Sequence, residues 1–96
     1  MDHPPDFIGG LRVVRWTLID ERHRPTKDCV YNVDGRDWGP AHGLAICEEE
    51  GAVAYYLFGC DEQWDCVTDT WHESLDDALQ QAEFEYVGVT ATWQSR

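Results

Sequence analysis

Between residues 60 and 73 the chain places two cysteines (Cys60, Cys66), an aspartate (Asp69), a histidine (His72) and a glutamate (Glu73) in one short stretch. A thiol beside an imidazole that a carboxylate orients is a nucleophilic arrangement: the ring takes the thiol proton and the carboxylate holds the ring. A small enzyme using Cys60 or Cys66 with His72 is therefore one reading. Two features weigh against it. Side chains alternate along a strand, so Cys66 and Asp69 would point to opposite faces, and no Gly-rich loop accompanies them to cradle an oxyanion or phosphate. His72 also falls where a strand passes into a helix, a place where a ring can cap or pack without reacting. Metal ligation is no better signalled. Cys29, Cys47, Cys60 and Cys66 are spaced by eighteen, thirteen and six residues, not as the close pairs of a zinc site. A second ligand pair would need His42, His72 or Cys47, brought in by folding alone. Asp61, Asp65 and Asp69 lack the glycine and terminal glutamate of a calcium loop. No catalytic residue, metal or cofactor is expected.

The charge pattern says more. The net charge is −12 over 96 residues. Residues 1–36 hold six basic and six acidic side chains, whereas residues 37–95 hold thirteen acidic ones and no Lys or Arg. A field of that sign repels phosphate backbones and anionic lipid and attracts basic proteins. Direct nucleic-acid binding and membrane binding are therefore not expected. Carboxylates at Glu62, Asp65 and Asp69 lie in sequence among Trp64 and Trp71, with Phe84 further on. Acid around aromatic anchors suits recognition of a basic protein, the charge speeding encounter and the rings supplying buried area. The alternative is an acidic domain with no dedicated partner surface, its carboxylates only solvated.

These side chains need elements to hold them. LRVVRWTLID (11–20) alternates in part, with Val14, Trp16 and Leu18 on one face and Val13, Arg15 and Thr17 on the other. CVYNV (29–33) reads as its returning strand, and DGRDWGPAHG (34–43) as a loop. LAICEEEGAVAYYLFGC (44–60) reads as a second hairpin around Glu49, Glu50 and Gly51, its second strand central because both faces are apolar. WDCVTDTW (64–71) is then the neighbouring antiparallel strand. Ser74 is a good N-cap with Asp77 as its capping-box partner. The stripe Leu75, Ala78, Leu79, Ala82 and Tyr86 must lie on the sheet. Phe84 falls on the opposite side of that helix, Gly88 ends it, and VTATW (89–93) is read as a last short strand.

The expected fold is thus α+β: a mainly antiparallel sheet of about five strands with one C-terminal helix packed across it. Ninety-six residues make a single domain (1–96), with residues 1–10 irregular. A hydrophobic fraction of 43% with five Trp is enough for a packed core. The start MDHPPDFIGG lacks a secretory pattern and no stretch approaches a membrane span, so a cytoplasmic location with reduced cysteines is expected.

YLFGCDEQWDCVTDTWHESLDDALQQAEFEY (56–86) resembles a pattern of small bacterial domains: an aromatic strand, a D-x-x-W turn, T-D-T-x-H, then S-L-x-x-A and Q-A-x-F-E-Y. That resemblance carries no activity and transfers no catalytic residue. In size and acidity alone the chain is also similar to bacterial immunity proteins, which neutralise toxins, often basic nucleases. The resulting expectation is a non-catalytic acidic binding protein, an inhibitor or immunity protein against a basic partner, with Glu62, Trp64, Asp65, Asp69, Trp71 and Phe84 as partner-binding residues.

Overall fold

A computed structural model describes residues 3–26, 31–33, 36–38 and 40–95. In chain order the strands are β1 (Phe7–Ile8), β2 (Leu11–Leu18), β3 (Arg24–Pro25), β4 (Tyr31–Val33), β5 (Arg36–Trp38), β6 (Gly43–Glu48), β7 (Tyr55–Cys60) and β8 (Cys66–His72). Helix α1 (Leu75–Glu85), β9 (Tyr86–Val87) and β10 (Gln94–Ser95) follow. The main sheet is antiparallel and curled, with five strands in the order β1-β2-β6-β7-β8, and β10 also pairs with β2. With α1 across it, this is the expected α+β fold. β3 pairs with β9, and β4 with β5.

Local chemistry explains most of the ladder. Gly9 and Gly10 have φ of 58° and 80° and join Ile8 directly to its partner Leu11. Left-handed values at both central residues make the hairpin turn that suits strand twist, and glycine adopts them without strain. The segment 1–10 is therefore not wholly irregular, since Phe7–Ile8 is paired strand. The second hairpin forms as read, β6 against β7 with Glu48 opposite Tyr55 and Gly43 opposite Cys60.

The first hairpin does not. β2 pairs with β6, whereas Tyr31–Val33 pairs with Arg36–Trp38, so part of the stretch read as loop is strand. Positions 29 and 30 of the expected returning strand lie outside the described residues. The face assignment of β2 also changes. The register shifts between Val13 and Arg15, a bulge that sets two residues against one and reverses the alternation beyond it. Val13 therefore packs in one core cluster with Trp16 and Leu18, while Val14 packs in the other.

Each face of the sheet has its own core. On one, α1 lays Ala78 and Ala82 on Leu44, Ile46 and Leu57, with Tyr86 and Val89 completing the cluster. Ser74 caps α1, its hydroxyl accepting the Asp77 N–H at 3.1 Å. The helix ends at Glu85, before Gly88, and Tyr86 directs its hydroxyl to accept the Ala41 N–H at 2.7 Å. Residues Val89–Ala91 form a 3-10 turn where a strand was expected, and the last strand is Gln94–Ser95. On the other face, the curl brings the β1–β2 turn toward β7, so that a Cβ on Gly9 would touch the Phe58 ring at 3.9 Å. Ile8, Val13, Ala45, Cys47, Phe58, Cys60 and Trp64 fill that space.

Candidate functional site

Trp64 and Trp71 stand seven residues apart in sequence and have opposite fates. Asp61 controls the first. Its carboxylate accepts the N–H groups of Gln63 (2.9 Å) and Asp65 (3.0 Å), and its carbonyl accepts the Trp64 N–H at 3.0 Å. This turn holds Trp64 at φ 65°, a left-handed conformation that costs a bulky residue about 1–2 kcal/mol. The indole is thrown back into the core, 3% exposed, edge-to-face on Trp16 at 6.1 Å. It lies so close to Gly43 that a Cβ there would sit 2.6 Å from the ring. Trp64 is thus a core residue and not an exposed anchor. Trp71, opposite Tyr56 in the β7–β8 ladder, is 57% exposed.

A second bulge decides what accompanies Trp71. The β7–β8 register shifts between Gly59 and Cys60, so that Thr68 opposes Gly59 but Cys66 opposes Cys60. Val67 is the extra residue, and Cys66 and Asp69 consequently share a face, contrary to strict alternation. That face carries Asp69 opposite Phe58 and Trp71 opposite Tyr56, while Thr70 and His72 turn toward α1. Tyr56 stacks on Phe58 at 5.9 Å and donates its hydroxyl to Glu49 at 3.3 Å. Burial, then the Glu49 carboxylate, then Asp69 raise the Tyr56 pKa, so the phenol stays protonated beside its acidic neighbours. Glu49 also lines a cavity of about 480 Å³ at this end of the sheet, with Phe7, Arg12, Glu48 and Glu50. Arg12 there is paired with Glu48. Trp71, Tyr56, Asp69 and Glu49, with the half-open Phe7 cavity beyond, make one acidic, aromatic surface. Tyr56 and Phe7 escaped the sequence reading. The signal for Tyr56 was its place one strand from Trp71 at matching register.

The other predicted residues divide. Glu62 and Asp65 are exposed at the β7–β8 turn, at the far end of β8 from Trp71; Asp65 precedes the strand and does not belong to it. Phe84 is 60% exposed on the outer side of α1, and α1 covers the face opposite to that of Trp71, so the two are not one patch. Trp93 packs against the helix-side core. Of the acidic side chains on the helix, Glu85 is buried, and Glu83 accepts the Gly88 N–H (3.0 Å) and the Thr90 N–H and hydroxyl (3.0 and 2.8 Å). Asp77 does not complete a capping box. Its carboxylate takes His72 Nδ1 at 2.7 Å instead.

The cysteine–histidine pair is not assembled. Cys66 opens β8 and His72 closes it, about 20 Å apart at strand rise, on opposite faces. The thiols are suppressed as nucleophiles: burial raises the Cys47 pKa to about 12 and that of Cys60 further, and burial with Asp69 raises Cys66 to about 11. His72 instead bridges Asp77 through Nδ1 and the Thr70 hydroxyl through Nε2, each at 2.7 Å. The order hydroxyl–imidazole–carboxylate is that of an activated nucleophile. Here the ring is 6% exposed, and the chain clamps the end of β8 to the first turn of α1. Among the described residues no three His, Cys, Asp or Glu side chains converge to hold a metal ion, and no helix is long and apolar enough to cross a membrane. The chain matches no family model, no curated protein and no solved structure.

Proposed function

We propose that this protein is a non-catalytic acidic binding protein that docks a basic protein partner, in the manner of an inhibitor or immunity protein against a basic toxin such as a nuclease. The observation that supports this reading is Trp71, a large ring 57% exposed beside Tyr56, with carboxylates at Asp69 and Glu49 around them. An exposed indole flanked by acid offers an apolar anchor with a charged rim, the division of labour seen in interfaces where few residues carry the affinity. The absence of Lys and Arg from residues 37–95 keeps the surrounding field negative, which favours rapid encounter with a basic surface. Glu62 and Asp65 add to that field from the β7–β8 turn, at the far end of β8, without contributing an anchor.

The test uses the basic product of a neighbouring gene as partner. Trp71→Ala is expected to speed dissociation at least tenfold, the behaviour of a central aromatic anchor. Asp69→Asn with Glu49→Gln is expected to slow association and flatten its dependence on ionic strength. Unchanged rates and salt slopes in both variants would leave this surface as solvated acid only.

A further inference from the structure

The two edges of the main sheet are closed differently. The outer side of β2 is occupied along its length by β1, at Leu11 and Arg12, and by β10, at Arg15 and Trp16. At the other edge, among the described residues, β8 pairs with β7 alone. No described residue gives a backbone hydrogen bond to the outer side of Cys66–His72. A strand of seven residues with one side unpaired is a template for another extended chain, which natural proteins guard with charge, bulges or cover. The guards here are the Val67 bulge near one end and Asp69 in the middle, and both leave the Thr68–His72 segment regular. Asp69 admits one kind of visitor and turns away another. A second copy of β8 laid on this edge would bring Asp69 near its own like charge, whereas a basic strand would meet a complementary one.

We propose that β8 is a strand-addition site for an extended basic segment of the partner, a proposal that rests on the docking reading above and specifies its mode. Main-chain hydrogen bonds to the outer edge of β8 would supply affinity, and alternate side chains specificity. Because side chains two apart share a face, a visiting strand sets one residue beside Asp69 and the next but one beside Trp71. The segment recognised therefore carries a Lys or Arg two residues from an aliphatic or aromatic side chain. On its other face lie Thr68, Thr70 and the rim of α1.

The probe is a short synthetic peptide of repeating Lys-Thr-Val-Thr, which sets lysine and valine two residues apart on one face, with two N-methylated forms that block alternate sets of backbone N–H groups. The parent peptide is expected to slow amide exchange across residues 66–72. One N-methylated form should bind about tenfold more weakly or worse, because it loses several main-chain bonds, while the other binds as the parent does. Asp69→Asn should weaken the parent severalfold. Equal binding of all three peptides would overturn strand addition while leaving the acidic docking face intact. Absence of any effect on residues 66–72 would overturn it too, and the partner-binding rates of Trp71→Ala would then stand as the separate measure of the docking reading. Protection of 66–72 that grows with protein concentration without peptide would make the occupant a second copy, and would equally overturn the proposal.

Discussion

Trp64 sits in a left-handed conformation because its ring has a place in the core and its turn has a carboxylate to organise it. The space it fills exists only because residue 43 is glycine. Gly43→Ala is expected to push the indole outward and cost about 1–3 kcal/mol, the usual range for overpacking. A denaturation midpoint and a red shift of tryptophan emission check it together. His72 is a second such residue. Its ring holds Thr70 and Asp77 at once, so His72→Leu, which keeps bulk and removes both bonds, should cost about 1–3 kcal/mol. If the ring serves only as a clamp, partner association in that variant should stay within a few-fold of wild type. Cys66 is exposed, yet slow reaction is expected of it. With its pKa raised to about 11 by burial and by Asp69, its alkylation at neutral pH should run on the order of a hundredfold slower than that of a free cysteine, since the thiolate is the nucleophile. Rapid modification would show that neither partial burial of the thiol nor Asp69 holds it protonated.

At the scale of elements, α1 is held at both ends by side chains. Ser74→Ala removes the acceptor for the Asp77 N–H and is expected to lower stability by about 0.5–2 kcal/mol, read from the unfolding midpoint. The other end depends on Glu83. The Gly88 N–H above all holds its pKa below the ordinary glutamate value; burial, next in size, opposes this, and the Thr90 hydroxyl and N–H add to the lowering. A carboxyl depressed in the folded state stabilises above its unfolded pKa, near 4.3, and that contribution is lost as pH falls through the depressed value. Glu83→Gln should therefore be less stable than wild type at pH 7, and the gap should narrow below about pH 4. A gap independent of pH would mean that ionisation of Glu83 contributes nothing to the fold. Asp20, drawn down to about 2 chiefly by its hydrogen bonds with Arg22, titrates in the same direction.

For the whole molecule, charge is the dominant feature. A net charge of −12 on 96 residues makes the folded state self-repelling, more so than the expanded chain. Raising ionic strength from about 0.01 to 0.15 M shortens the screening length from about 30 to 8 Å, and is expected to raise the unfolding midpoint of the free protein. The same salt should slow association with a basic partner, because screening weakens steering. Opposite responses of stability and on-rate to one variable would be the mark of an acidic surface used for encounter. Parallel responses would show that the charge acts on the fold alone.

Much of this architecture was legible because its signals are local. The acidic run, the β6–β7 hairpin, the antiparallel β8 and the Ser74 cap each depend on residues within a few positions of one another. The alternation of Tyr55 to Phe58 announced a central strand for the same reason. What only the tertiary structure decided was which face each side chain reached and which partner each strand chose. Val14 and Val67 are bulged residues, and one extra residue reverses every side chain beyond it, so Val13 joined Trp16 and Asp69 joined Cys66. β2 pairs with β6, strands distant in sequence, and Tyr31–Val33 pairs elsewhere, while β10 returns to close the β2 edge. Trp64 and Trp71 differ for a reason no window of sequence contains: Gly43, twenty-one positions away, leaves a space for one ring, while Trp71 lies on a strand that, among the described residues, has a neighbour on one side only.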